Sequence, residues 1–194
     1  MNQQVTPEAF YDTLSLAHKL DSYLDGFKLQ EIHLFSFFSS FLFHYAGNPI
    51  GNWQHSYTVE DGYPFSASLN EAILRHIQNG LFEEKEEFYS ITGKGSDEFN
   101  KFKSLPSLSV REQYLNAACT TTIIVPYSQT LRALLNEPEL KKVSKLNNND
   151  WLELVNIYPE FEKISQAVGI HTKDLMIPAV TWVNYLYEKE TPKL

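Results

Sequence analysis

The stretch AILRHIQNGLFEEKEEFYSITGKG, residues 72–95, decides the fold class that the sequence predicts. Its first part continues an amphipathic helix over residues 67–79, and Gly80 provides a helix stop. Two short apolar segments, residues 81–82 and 88–91, then flank a charged tip, which is typical of a β-hairpin. Another helix begins after the second segment. The stretch therefore predicts a helix, a hairpin and a helix start, in that order.

Two further helices are predicted upstream. The first covers about residues 7–24, with Thr6 as its N-cap and Pro7 in its first turn. The second covers about residues 28–45 and is apolar almost all the way round, which predicts burial on more than one side. This order of helices and hairpin, with Asn-Gly-Leu at a helix end and Thr-x-x-Gly after the hairpin, resembles winged-helix proteins over about residues 29–102.

The tip of the predicted hairpin is acidic, with a single lysine among four glutamates: Glu83, Glu84, Lys85, Glu86 and Glu87. DNA phosphates would repel these carboxylates, although the same glutamates could simply keep a turn solvated. The helix before the hairpin has Arg75 as its one strong base, whereas base-reading helices usually offer several polar or basic side chains. We therefore expect this unit to face a protein. The alternative is a DNA-binding regulator or antitoxin that uses Arg75 and Lys94.

The second half of the chain predicts a helical lobe. The segment LPSLSVREQY, residues 105–114, is the best candidate for a boundary. It divides the chain into residues 1–105 and 106–194, with one compact domain as the alternative. Helices are predicted beyond it at about 110–120, 126–136, 137–146, 150–162 with Pro159 as a candidate break, and from a Thr172 cap onward. The predicted fold class is mainly α: a winged-helix-like unit with a short β-hairpin, followed by a helical lobe.

Composition favours a soluble globular protein of the cytoplasm. Hydrophobic residues make up 43% of the chain and aromatic residues 14%, enough for a large core. The formal net charge of -8 gives no counterion-release drive toward nucleic acid. Cys119 is the single cysteine, which excludes an internal disulfide and indicates a reducing compartment. The most apolar stretch, residues 32–46, is shorter than the ~20 residues that a bilayer requires, and no secretion signal is recognised.

No motif of the sequence predicts catalysis, a cofactor or a metal. The six histidines include no pair at i, i+4 spacing, and neither HExxH nor CxxC occurs. The segment GKGSDEF lacks P-loop spacing, so Gly93 and Gly95 are interpreted as turn formers. Cys119 lies in an apolar run, which predicts a buried and unreactive thiol. The sequence therefore predicts no catalytic, cofactor-binding or metal-binding residue, and nothing in it supports an enzyme.

Three aromatic residues are candidate partner contacts. Trp53 lies in the polar loop NPIGNWQHSY, where a large ring has no local reason to be buried, although packing is an equal alternative. Phe35 and Phe38 share one face of the second helix, which either the core or another subunit covers. Trp151 and Trp182 fit amphipathic helical patterns and are expected in the core.

Several segments together carry a family resemblance: the aromatic helix EIHLF…FLF, GNPIGNW, YPFS and the C-terminal IPAVTWVNYL. With these and the winged unit, the chain resembles the middle component of bacterial ABC three-component systems, such as the accessory subunits of Lamassu-type anti-phage defence complexes. The resemblance implies a non-catalytic adaptor that binds an SMC-like ATPase and a nuclease-type effector subunit. It implies contact with DNA through the complex alone, no membrane and no cofactor.

Overall fold

The computed structural model describes residues 5–146, 151–167 and 174–190. Of these residues 73% are helical, so the predicted mainly α class is confirmed. The described parts of the chain contain nine helices: α1 Pro7–Leu24, α2 Leu29–Tyr45, α3 Ala67–Gln78, α4 Gly93–Lys103, α5 Pro106–Ile124, α6 Tyr127–Leu135, α7 Pro138–Leu146, α8 Leu154–Ala167 and α9 Met176–Glu190. The four strands are β1 Thr58–Glu60, β2 Tyr63–Phe65, β3 Phe82–Lys85 and β4 Phe88–Ile91.

Helix α1 begins and ends where the sequence predicts. The Thr6 hydroxyl accepts the backbone N–H of Ala9 at 3.2 Å, and Pro7 fills a first-turn position that needs no N–H. After the helix, Gly26 takes a φ of 131°, which side chains other than glycine rarely adopt. A Cβ at Gly26 would lie 3.2 Å from the Cβ of Phe88, so the β3–β4 hairpin lies directly against this glycine.

Helix α2 is the central helix of the core. Its buried residues run without interruption from Glu31 to Phe43, and its neighbours include α1, α5, α8 and β2. The prediction of burial on more than one side is therefore confirmed. Each phenylalanine fully removed from water contributes ~1.5–3 kcal/mol before the entropy of ordering is subtracted. The several rings of α2 thus form a large share of the hydrophobic stabilisation.

The buried apolar core includes residues of both halves of the chain. It extends from Ala9 in α1 to Leu186 in α9, and α5 packs against both α1 and α2. Cys119 of α5 is fully buried, as predicted, and burial raises the pKa of its thiol to about 12. The thiol is therefore protonated at neutral pH and poorly nucleophilic. The division of the chain between residues 105 and 106 stays a prediction.

The described residues form two antiparallel hairpins. The predicted hairpin is confirmed: β3 pairs with β4 in a register that runs from Phe82 opposite Ile91 to Lys85 opposite Phe88. A second hairpin, which pairs β1 with β2, lies between α2 and α3. Its turn at residues 61–62 is an Asp-Gly pair in which both residues have positive φ, as tight hairpin turns require.

Helix α5 begins earlier than predicted. Residues 106–109 belong to the helix, although their proline and serines suggested a loop. Pro106 occupies the first turn, where the missing N–H costs nothing and the fixed φ suits a helix. Leu108 is 3% exposed, so the first turn is also held by packing.

Helix α8 continues through Pro159, where a break was considered. Proline removes one hydrogen bond of the helix, but Ile157 and Phe161 on either side are buried in the core. Packing of an apolar face supplies most of the stability of a helix within a protein, and here it outweighs the lost bond. The predicted Thr172 cap lies outside the described residues.

Gly93 and Gly95 lie in the first turn of α4, so their interpretation as turn formers is wrong. The hydroxyl of Thr92 accepts the N–H of Gly95 at 3.1 Å and caps the helix. A Cβ at Gly95 would lie 2.6 Å from Cγ1 of Ile91 and closer still to the carbonyl oxygen of Leu81. Gly95 therefore allows α4 to approach the base of the β3–β4 hairpin.

Within the described parts of the chain, no helix combines the length and the apolar character that crossing a bilayer requires.

Candidate functional site

The tip of the β3–β4 hairpin is exposed and acidic. The strand register leaves Glu86 and Glu87 as a two-residue turn, and Glu84 lies on β3, separated from that turn by Lys85. Lys85 reaches the carboxylate of Glu83 at 2.9 Å. Among the described residues, no ion pair is found at the other three glutamates of the tip. The hairpin therefore presents several negative charges to solvent.

Glu86 adopts a conformation that is unfavourable for glutamate. Its φ is 54°, in the left-handed region that glycine and asparagine occupy far more readily. The cost for a residue with a longer side chain is about 1 kcal/mol. A strained residue at an exposed tip favours a role for its side chain, because stability alone would select glycine.

An exposed aromatic ring lies beside the acidic turn. Phe88 follows Glu87 and is 45% exposed, and the ammonium of Lys28 lies 5.4 Å from the centre of its ring. Aromatic rings are enriched at the centre of protein interfaces, and a polar rim commonly surrounds them. The tip, comprising Glu84, Glu86, Glu87 and Phe88, is called the acidic tip below.

The base of the hairpin is fixed to the helical part of the protein. Phe27 and Tyr89 exchange two backbone hydrogen bonds, of 2.9 and 2.8 Å, so β4 is paired on both of its edges. The carboxylate of Asp21 in α1 accepts the N–H of Ile91 at 3.1 Å. The acidic tip is therefore held in place before any partner arrives, which lowers the entropy lost on binding.

The two residues of the alternative DNA-binding hypothesis lie near the C-terminal end of α3. Arg75 is exposed in the last turn of that helix. The ammonium of Lys94 donates to the carbonyl oxygen of Asn79 at 2.8 Å, so it partly satisfies the end of α3. Leu74, which precedes Arg75 on α3, is 45% exposed. This end of α3 offers one arginine, one lysine whose ammonium already has a hydrogen-bond partner, and an apolar side chain, which is a poor match for a phosphate backbone.

The three predicted partner-contact residues are all inside the core. Trp53, Phe35 and Phe38 are each 0% exposed. Of the two interpretations of Trp53, packing is confirmed: its indole packs against Phe43, stacks with Arg111 and donates from Nε1 to a tyrosine hydroxyl. None of the three predicted contact side chains reaches the surface in this structure.

The exposed tryptophan is Trp151, which was expected in the core. It is 64% exposed, and Val155, one turn further along, is 58% exposed. The backbone N–H of Leu152 donates to the carbonyl oxygen of Tyr57 at 2.7 Å, which fixes the adjacent residue and directs Trp151 outward. Trp182, the other tryptophan expected in the core, is buried as predicted.

A buried ionic network joins α1, α5 and the segment before β1. Arg111 donates from Nε to Oδ1 of Asp12 at 2.8 Å and from Nη2 to Oδ2 at 2.5 Å. Its Nη2 also donates to the carbonyl oxygen of Trp53 at 3.0 Å. Burial alone would raise the pKa of the Asp12 carboxyl, but the Arg111 guanidinium outweighs that effect and lowers the pKa below its usual range. Asp12 is therefore ionised and paired.

His55 extends this network toward a serine. Its Nε2 lies 2.8 Å from Oδ2 of Asp12, and its Nδ1 lies 3.3 Å from the hydroxyl of Ser68. The residue types are those of a serine hydrolase triad, but Arg111 occupies both carboxylate oxygens and its Nη2 lies 3.5 Å from the imidazole. A guanidinium at this place opposes the positive charge that a general base must acquire. The geometry therefore favours a structural role.

Across the described parts of the chain, no three histidine, cysteine or acidic side chains are grouped as metal ligands. Comparison of the chain with protein families, with curated proteins and with solved structures finds no match. The surface of the protein, including the acidic tip that the sequence predicted, is therefore the feature that indicates its function.

Proposed function

We propose that this protein is a non-catalytic adaptor that binds other proteins through the acidic tip. The resemblance described above gives the partners: an SMC-like ATPase and a nuclease-type effector of a bacterial anti-phage defence complex in the cytoplasm. The acidic tip is the observation that carries the proposal. Its three exposed carboxylates and exposed ring lie on a hairpin that backbone hydrogen bonds hold in place.

The fold supports a winged-helix-like interpretation of residues 29–102. Helices α2 and α3, the hairpin and α4 follow one another in the predicted order. The β1–β2 hairpin between α2 and α3 is an addition to that plan. In this interpretation the acidic tip is the wing. Its negative charge disfavours binding to phosphates and favours binding to a basic protein surface.

Co-expression with the products of neighbouring genes tests the proposal. A stable complex is expected on size-exclusion chromatography, and the triple variant Glu84→Lys, Glu86→Lys, Glu87→Lys should weaken it. The matched control reverses three exposed acids elsewhere, Glu60→Lys, Asp97→Lys and Glu153→Lys, and should leave the complex intact. Both variants change the net charge equally. A difference in the stability of their complexes therefore shows that the location of the reversed charges matters.

Two outcomes would overturn the adaptor proposal. In one, the wild-type chain elutes alone with every neighbouring product. In the other, the wild-type chain shifts duplex DNA at low salt and Arg75→Ala with Lys94→Ala abolishes the shift, which would establish the DNA-binding alternative.

A further inference from the structure

A second surface of this acidic protein is lined by lysines. Helices α7 and α9 and the end of α6 enclose a groove of about 550 Å³. Four lysines line it together with two apolar residues and one glutamate: Lys141, Lys142, Lys145, Lys189, Pro138, Leu186 and Glu190. Such a concentration of positive charge contrasts with the formal net charge of -8 for the whole chain.

Helical spacing brings these side chains to one place. On α7, Pro138, Lys141, Lys142 and Lys145 follow the i, i+3, i+4, i+7 pattern and share one face. The other face of α7 packs into the core through two buried residues, Leu140 and Val143. On α9, Leu186, Lys189 and Glu190 follow the same pattern. The two helices therefore bring their polar faces together across the groove.

The lysines of α7 repel one another in the free protein. Lys141 and Lys145 are four residues apart, and Lys142 and Lys145 are three apart, spacings at which like charges destabilise a helix. Glu139 lies 3.2 Å from Lys142, and Glu160 lies 2.9 Å from Lys189, but both lysines stay largely accessible. An anionic partner would relieve this repulsion.

We infer that the groove binds an acidic segment of a partner protein. Carboxylates of such a segment pair with the lysines, and an apolar side chain between them contacts the half-buried ring of Pro138. A nucleic acid strand fits less well, because it carries a charge at every phosphate while Glu190 and apolar residues are part of the lining. The inference builds on the proposed function, since it gives the adaptor a second protein-binding surface.

A labelled synthetic peptide that alternates glutamate with leucine tests the inference by fluorescence anisotropy. Binding to the full chain is expected at low ionic strength and should weaken as salt is added. The double variant Lys141→Glu, Lys145→Glu should bind at least about ten-fold more weakly. The control double variant Lys101→Glu, Lys103→Glu changes the charge equally on α4 and should bind like the wild type. Thermal unfolding of each variant checks that it is folded.

Three results of the anisotropy measurement would overturn the inference: equal affinity of the two double variants, stronger binding of a single-stranded oligonucleotide than of the peptide, or no binding of the peptide to the wild type. A copy of the chain binding there through its own acidic tip would also oppose it, and sedimentation of the wild type would reveal the resulting oligomers. The reversal of the acidic tip leaves the groove untouched. Loss of the complex and loss of peptide binding therefore report separately on the proposed function and on this inference.

Discussion

The guanidinium of Arg111 stacks over the indole of Trp53, with its central carbon 4.0 Å from the ring centroid. The same guanidinium forms two hydrogen bonds with Asp12, so one side chain of α5 binds both α1 and the segment before β1. A planar, permanently charged group is required for stacking and for two parallel hydrogen bonds at once. Lysine could therefore not make all the contacts that arginine makes at position 111.

Substitution of Arg111 should destabilise the protein strongly. Arg111→Met leaves the buried Asp12 carboxylate without its counter-ion, which costs ~3–5 kcal/mol of unfolding free energy. Arg111→Lys keeps the charge but loses the stacking and one hydrogen bond, so a smaller loss is expected. Urea denaturation of the three proteins measures the order. A loss below ~1 kcal/mol for Arg111→Met would show that the pair contributes little.

The pH dependence of stability follows from two buried histidines and one buried acid. Burial, with a smaller contribution from His55, lowers the pKa of His33 to about 4, and burial lowers the pKa of His76 to about 4. As the pH falls from 6.5 toward 4, the unfolded state therefore binds protons that the folded state excludes, and stability is lost. Burial raises the pKa of Glu137 to about 7, which has the opposite effect over much of the same range.

Two histidines outweigh one acid, so the folded state should lose stability on acidification. Between about pH 7 and 5, each histidine lowers the free energy of unfolding by ~2 kcal/mol, and Glu137 raises it by a similar amount. The net loss of unfolding free energy is about 2 kcal/mol. His33→Gln should flatten the dependence, whereas His44→Gln, on a partly exposed ring, serves as the comparison. Urea denaturation at the two pH values measures the slopes. A wild-type protein that is equally stable at both would contradict the prediction.

Relief of backbone strain at the acidic tip should stabilise the protein. Glu86→Gly removes the cost of the positive φ and is expected to raise the unfolding free energy by about 1 kcal/mol. Glu87→Gly removes the same charge at the neighbouring turn position, where no positive φ is found, and should not stabilise. Thermal unfolding compares the two. Equal effects would indicate that charge, not conformation, is responsible.

The first turn of α4 offers a matched pair of glycine substitutions. Gly95→Ala places a Cβ against the backbone of Leu81 and against Ile91, and should cost ~1–3 kcal/mol through overpacking. Gly93→Ala meets open space and should be neutral or stabilising by ~0.4–1 kcal/mol. Denaturant midpoints distinguish the two outcomes. If both substitutions were tolerated equally, the close approach of α4 to the hairpin would be in doubt.

Local signals predicted those elements that depend on neighbouring residues. The Thr6 cap with Pro7 gave the start of α1, and the alternation of apolar segments and acids gave the β3–β4 hairpin. Local signals failed where packing decides. Pro106 suggested a loop but begins a helix, and Pro159 suggested a break but lies within one. A proline shows that an N–H is missing, whereas the fold determines whether that loss matters.

The polarity of the neighbouring residues in the sequence did not predict whether each tryptophan is buried or exposed. Trp53 lies among polar residues in the sequence, but its principal partner Arg111 is 58 residues away. Trp151 fits a helical pattern, but it precedes the first turn of α8 and faces solvent. Likewise, nothing local indicates that Asp12 and Arg111, separated by 99 residues, form an ion pair. Contacts of this kind depend on tertiary structure, which the spacing of residues along the sequence does not predict.

The pair of Asp12 and Arg111 has a consequence for synthesis. The carboxylate emerges from the ribosome with α1, whereas its counter-ion follows almost one hundred residues later. Until α5 has been translated, burial of the Asp12 carboxylate without Arg111 costs desolvation free energy. We therefore expect α1 to stay loosely packed against the rest of the nascent first half. The native packing of α1 is therefore complete only after α5 has been synthesised, even if the first helices form before that.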